Sequence, residues 1–202
     1  MDTTSLIVKR GALGDTAQTC YNHVQEKCND ISKDLSPFFT VPLRVLFFAN
    51  SIKTATKIDA AVDAKIDVSL AADIVVDLRV IVDLIVKLGV DLQAKCTAGG
   101  LTVADVKACV SIVIAIVNLC AAILLKIHAC LSASVSVSVF IGVVVQLAAC
   151  IRIVINLLIS VCLGSIGGLS LLNLTLVVGL VVQLTACLTA FISACVTLGV
   201  SV

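Results

Sequence analysis

Ten cysteines are the residues of this sequence best suited to covalent chemistry. Their even number permits complete pairing into disulfides, which persist in exported proteins. The alternative is that each cysteine is a small side chain that is easily buried in an apolar helix. The disulfide candidates are Cys20, Cys28, Cys96, Cys109, Cys120, Cys130, Cys150, Cys162, Cys187 and Cys195.

Two short motifs indicate processing in the secretory pathway. Lys9 and Arg10 form the only adjacent basic pair in the chain. Such pairs are cleaved by processing proteases, which predicts a mature start at Gly11, although a chance pair in a floppy terminus is the alternative. Asn173 begins an Asn-Leu-Thr glycosylation sequon, just after GSIGG, where we expect a loop. The first ten residues, however, lack the apolar stretch of a signal peptide.

The sequence has no arrangement of residues typical of an active site. No nucleophile has a recognisable base and orienting group, and no glycine-rich phosphate loop follows a strand. Cys20 and His23 form a single pair, without the second pair of ligands that a structural zinc site needs. We therefore predict a protein that is not an enzyme and has no metal, cofactor or small-molecule substrate.

The charges divide the chain into two unequal parts. All 13 acidic residues lie between Asp2 and Asp105, and 12 of the 14 basic residues lie at or before Lys107. Beyond that point only Lys126, His128 and Arg152 are titratable, apart from cysteine thiols. An apolar surface of this extent requires a partner phase or another protein surface. The net charge of +1 gives no indication of nucleic-acid binding.

The front part of the chain predicts two helices. Residues 1–14 are expected to be disordered or a pro-segment, and a first helix, capped by Asp15, is expected to run to about Asp34. Pro37 and Pro42 mark the strongest boundary. Aspartates four residues apart then predict a long amphipathic helix over about 43–95.

Three apolar runs follow a turn at Gly99 and Gly100. Thr102 and Asp105 predict a capping box at the start of the first run, which ends at Cys130. The others span about 138–163 and 170 to the C-terminus, after the segments LSASVSVSV and GSIGG. Each run exceeds the roughly 20 residues that cross a bilayer. Their length without proline favours helix over strand despite the many valines.

A nine-residue motif occurs in two of these runs. Gly142–Cys150 and Gly179–Cys187 agree at seven of nine positions and start 37 residues apart. Each copy has one glutamine, Gln146 or Gln183. Two interpretations are open for these amides, a buried hydrogen bond between helices or a contact with a ligand.

Together these features predict an all-α fold, a helical bundle of long apolar and amphipathic helices stapled by disulfides. Residues 15–105 form its polar and amphipathic half, and residues 106–202 form its highly apolar half. Membrane insertion is an obvious alternative, but tryptophan is absent and tyrosine occurs once, so an aromatic belt is missing.

This layout resembles that of secreted, cysteine-rich surface proteins of mushroom-forming fungi. The resemblance covers the processed-looking start at Lys9–Arg10, the polar stretch to about 105, and the apolar, cysteine-spaced region from 106 to 202. It implies a protein of the cell wall or extracellular matrix that acts beside hydrophobins. It carries over no site residues, and the chain lacks the Cys-Cys doublet of a hydrophobin itself.

The expected function is therefore that of a secreted structural or surface-active protein. Its predicted partner is an apolar surface, lipid or another copy of the chain, with no nucleic acid. Two alternatives are a small polytopic membrane protein of three or four helices and a carrier that encloses a lipid or sterol.

Overall fold

Five α-helices form nearly all of the described structure, a computed structural model that covers residues 12–39, 66–98, 101–131, 137–164 and 171–201. No strand occurs in these ranges, so the predicted all-α bundle is confirmed. Residues 1–11 of the predicted disordered or pro-segment 1–14, and residues 43–65 of the predicted long helix, lie outside these ranges. Residues 12–14 belong to the first helix, so the prediction of disorder is wrong for them. The helices are α1 (Ala12–Phe39), α2 (Val68–Ala98), α3 (Val103–Cys130), α4 (Ser138–Gly164) and α5 (Leu171–Thr197).

Helix α1 is longer than the sequence pattern predicts. It begins at Ala12, so Asp15 lies in its first turn rather than at the cap, and it continues past Asp34. Pro37 lies inside its last turn and has no N–H to donate to the carbonyl of Lys33. The Ser36 hydroxyl donates to that carbonyl instead, at 2.7 Å, so the helix continues through the proline.

Helix α3 begins at the predicted capping box. The Thr102 hydroxyl accepts from the backbone N–H of Asp105 at 3.2 Å, and the Asp105 carboxylate accepts from the Thr102 N–H at 3.1 Å. These two bonds satisfy N–H groups that have no partner within the helix. The prediction from Thr102 and Asp105 is confirmed.

Helix α5 ends in a glycine cap that the sequence analysis did not identify. Gly199 has a φ of 89°, in the left-handed region. Its N–H donates to the Val196 carbonyl at 2.8 Å, and the Val200 N–H donates to the Cys195 carbonyl at 3.0 Å. This pair of bonds is a Schellman motif, which satisfies the last carbonyls of the helix.

Each helix buries a stripe of apolar side chains with helical spacing. The stripe of α1 repeats every three or four residues and is the simplest example. Two of its members are cysteines, so Cys20 and Cys28 do lie on one side of the helix, as predicted. The stripe consists of Leu13, Ala17, Cys20, Val24, Cys28, Ile31 and Leu35.

The helices pack as a ring in the order α1, α2, α4, α5, α3. Contacts also join α3 to α4 across the ring, but they are less extensive. Buried residues from all five helices belong to one hydrophobic core. The polar half and the apolar half of the sequence therefore pack together around that core.

Specific contacts fix the directions of neighbouring helices. Lys126 Nζ donates to Ser32 Oγ at 3.1 Å, near the C-terminal ends of both α3 and α1. The Cys20 thiol lies 3.5 Å from the Leu84 carbonyl, and Lys27 Nζ lies 3.2 Å from Asp77, so α1 and α2 run antiparallel. Helix α1 thus lies parallel to α3 along much of its length.

Two glycines offer a matched test of these helix geometries. Gly142 lies inside α4, where an added Cβ would have open space, so Gly142→Ala should stabilise the fold by roughly 0.4–1 kcal/mol. Gly199→Ala should destabilise it by about 1 kcal/mol, because alanine is strained at positive φ. Urea unfolding followed by circular dichroism measures both. Equal effects of the two variants would contradict the assigned cap.

Candidate functional site

Charged side chains are concentrated on α1 and α2. Helix α1 exposes acidic and basic residues along its outer side, among them Glu26, Lys33 and Asp34. Helices α4 and α5 together have one charged residue, Arg152, which is exposed. Because α5 is not a neighbour of α1 or α2 in the ring, the bundle has a charged side and a nearly uncharged side.

The uncharged side exposes large aliphatic side chains on both of its helices. Ile153 is 65% exposed, and Val182 is 61% exposed. We call this surface the apolar face. Its exposed aliphatic residues are Val139, Ile141, Val145, Ile153 and Leu163 on α4, and Val178, Val182 and Val196 on α5.

Three threonine hydroxyl groups on the outer side of α5 donate within the helix. Thr185 donates to the Val181 carbonyl and Thr189 to the Thr185 carbonyl, both at 2.9 Å. Thr197 donates to the Ser193 carbonyl at 2.8 Å. Such bonds to the preceding turn occupy the hydroxyl proton without water. These threonines therefore reduce the cost of placing α5 against an apolar phase.

The repeated motif has the same orientation in both helices. Leu147 and the equivalent Leu184 are buried, whereas Val145 and Val182 are exposed. Gln146 and Gln183 are exposed too, so the interpretation as amides buried between helices is wrong. Each copy thus has an inward leucine, and an outward valine and glutamine.

All ten cysteines are free thiols in this structure, and the predicted staples remain a prediction. Two of these thiols, those of Cys20 and Cys187, act as weak donors across helix contacts. Cys20 donates to the Leu84 carbonyl of α2, and Cys187 lies 3.8 Å from the Ile114 carbonyl of α3. Free cysteine in these positions behaves as a small hydrophobe with a weak donor.

A cavity of about 210 Å³ between α1 and α2 brings together Cys20, His23 and Asp91. These are the residue types of a thiol-based triad. Burial raises the pKa of Cys20 to about 11, and its proton faces the Leu84 carbonyl. The protonated thiol is a poor nucleophile at neutral pH, so this cluster lacks an activated group.

The reactivity of Cys20 tests that assignment. A pKa of about 11 instead of 9.0 lowers the thiolate fraction near pH 7 about 100-fold. We expect alkylation of Cys20 by iodoacetamide in the reduced, folded protein to be slower by at least this factor than in urea. Peptide mass spectrometry measures the rate against pH. A rate that levels off near pH 9 would contradict the burial of this thiol.

A second cleft, of about 340 Å³, lies between α2 and α4. It is lined mainly by aliphatic side chains, including Ile85, Val90 and Leu157. A Cβ at Gly89 would lie 3.3 Å from Val154 Cγ2, so the glycine allows the close approach of the two helices beside it. The volume is at the lower end of the roughly 300–1,000 Å³ of ligand pockets, which limits a carrier to a small ligand.

The remaining predicted sites lie at the start of α5 or outside the described residues. Asn173 belongs to the first turn of α5, so the prediction of a loop at this residue is wrong. Lys9 and Arg10 lie outside the described residues. Within those residues, no group of three or more His, Cys, Asp or Glu side chains is placed to hold a metal ion.

Three of the described helices are long and apolar enough to cross a membrane, on length and composition alone. They cover Val103–Cys130, Ser138–Gly164 and Leu174–Thr197. Comparison with family models, curated proteins and solved structures found no match. The resemblance to fungal surface proteins therefore remains a prediction.

Proposed function

We propose that this protein is a non-enzymatic surface-active protein that binds an apolar interface through the apolar face of α4 and α5. The charged side, formed by α1 and α2, remains in water. The observation that carries the proposal is the separation of charge between the two sides of one bundle. Burial of the exposed aliphatic groups supplies the driving force, at roughly 25 cal/mol per Å².

The position of α1 favours adsorption of the closed bundle over its insertion. Helix α1 lies along α3, and Glu26 and Asp34 are exposed on its outer side. If α3 crossed a bilayer with α1 attached, these charges would enter hydrocarbon. Each charge at the centre of a spanning helix costs about 2.5–3.5 kcal/mol. Adsorption through α4 and α5 leaves these charges in water and brings only Arg152, the one charged residue of the two helices, close to the apolar phase.

We place this function outside the cell, in a wall or matrix, as the resemblance to fungal surface proteins implies. The support is the number of cysteines and the basic pair at Lys9–Arg10. Amino-terminal sequencing of the native protein tests the placement. A start at Gly11 is expected, and a retained basic pair would contradict processing at this position.

A matched pair of substitutions tests the role of the apolar face. Val182 on α5 and Val76 on α2 are 61% and 57% exposed, so aspartate at either position leaves the core intact. We expect Val182→Asp to weaken adsorption at a hexadecane–water interface about tenfold or more, since burying a valine contributes about 1.5 kcal/mol or more and a charge opposes burial.

Val76→Asp is the control because it adds the same charge on the charged side. Pendant-drop tensiometry gives the concentration for half-maximal adsorption of each variant, and circular dichroism checks their folding. Equal weakening by both substitutions would contradict a specific apolar face.

A small polytopic membrane protein is the second candidate, favoured by the three helices with sufficient length and hydropathy. Extraction separates the two candidates. We expect carbonate without detergent to release the protein from phosphatidylcholine vesicles, since the closed bundle lies on the surface. Release by detergent alone would favour the membrane protein.

A further inference from the structure

The contact between α1 and α3 contains three buried cysteines. Cys20 and Cys28 belong to the buried stripe of α1, and Cys120 lies on α3 with 2% of its surface exposed. The thiols of both α1 cysteines are within electrostatic range of the Cys120 thiol. The structure thus offers two candidate partners on α1 for Cys120, and Cys187 of α5 is a third that lies farther down the order of influence on its pKa.

The register of the two helices favours Cys28. The hydrogen bond from Lys126 Nζ to Ser32 Oγ places residue 32 of α1 near the level of residue 126 of α3. Because the helices are parallel and rise 1.5 Å per residue, Cys28 lies about 3 Å along the axis from Cys120, and Cys20 about 9 Å. This register ranks Cys28 ahead of Cys20 as the partner of Cys120.

The surroundings of Cys20 support the same choice. Its Sγ lies 3.5 Å from the Leu84 carbonyl, which directs the thiol toward α2 rather than α3.

We propose that Cys28 and Cys120 form the disulfide that fixes α1 to α3 when the protein is oxidised. The bond keeps the charged helix over α3 and so keeps α3 out of hydrocarbon. This consequence rests on the proposed adsorption through the apolar face, whereas the pairing itself does not.

The oxidation requires a small disulfide such as oxidised glutathione. One cysteine thiolate attacks a sulfur of glutathione disulfide and releases one glutathione thiol. The second cysteine thiolate then displaces the other glutathione, which forms the protein disulfide. Two electrons pass to glutathione, and the two cysteine protons balance the two released thiols. Because burial disfavours the thiolate, we expect the bond to form while α1 docks during folding.

Peptide mapping of full-length protein refolded with oxidised glutathione tests the pairing. Trypsin cleavage after Lys27 separates Cys20 from Cys28, which remains in the peptide 28–33. We expect this peptide linked to the peptide 108–126, which contains Cys109 and Cys120, with fragmentation assigning the bond to Cys120. The intact mass should fall by two hydrogen atoms for each disulfide.

Three variants complete the test, each checked for folding by circular dichroism. Cys28→Ala and Cys120→Ala should abolish the linked peptides, while Cys20→Ala should retain them. A bond between Cys20 and Cys120, or oxidation without any link between α1 and α3, would overturn the proposal. If the link is absent but Val182→Asp still reduces adsorption, the pairing fails and the proposed function stands.

Discussion

The contact between α1 and α3 constrains how the whole bundle can meet an apolar phase. A helix with charges along its outer side lies parallel to a helix that is apolar enough to span a bilayer. Desolvating those charges is costly, so α1 and α3 must either both remain at the aqueous side or dissociate from each other. The approach that we propose for the closed bundle is therefore through α4 and α5.

Several other features depend on this arrangement. The threonines of α5 donate to its own carbonyls, and the repeated motif turns leucine inward and valine outward in both α4 and α5. On the opposite side, Lys27 bridges Asp30 and Asp77 and so joins α1 to α2. Hydrogen bonding to these carboxylates raises the pKa of Lys27, so the lysine keeps its charge in this contact. Helix α2 also exposes valines, among them Val68 and Val90, so the two sides differ mainly in their charge.

The sequence predicted local features well where a short pattern specifies them. The capping box at Thr102 and Asp105 defined the start of α3, and the ends of the apolar runs at Cys130 and near 163 agree with the structure. The predicted end of α1 near Asp34 was wrong, because the Ser36 hydroxyl donates to the Lys33 carbonyl, for which Pro37 has no N–H. That compensation depends on a side-chain rotamer, which residue propensities do not include.

The orientation of the helices was harder to predict. The sequence separated a polar half from an apolar half, but it did not indicate that α1 would lie along α3 or that α5 would be remote from both charged helices. The outward position of Gln146 and Gln183 could have been predicted. In each copy of the motif the leucine directly after the glutamine is buried. The glutamine and the valine before it, three and four residues after Gly142 or Gly179, lie together on the opposite, exposed side of the helix.

One measurement tests the central claim, that the apolar face meets the apolar phase while α1 stays in water. The chain has no tryptophan, so a single substituted tryptophan is an unambiguous fluorescent probe. Val182→Trp on α5 and Gln25→Trp on α1 would each be bound to vesicles with brominated acyl chains, which quench tryptophan on contact. The account predicts strong quenching at position 182 and little at position 25. Equal quenching at both positions, or quenching at position 25 alone, would contradict it.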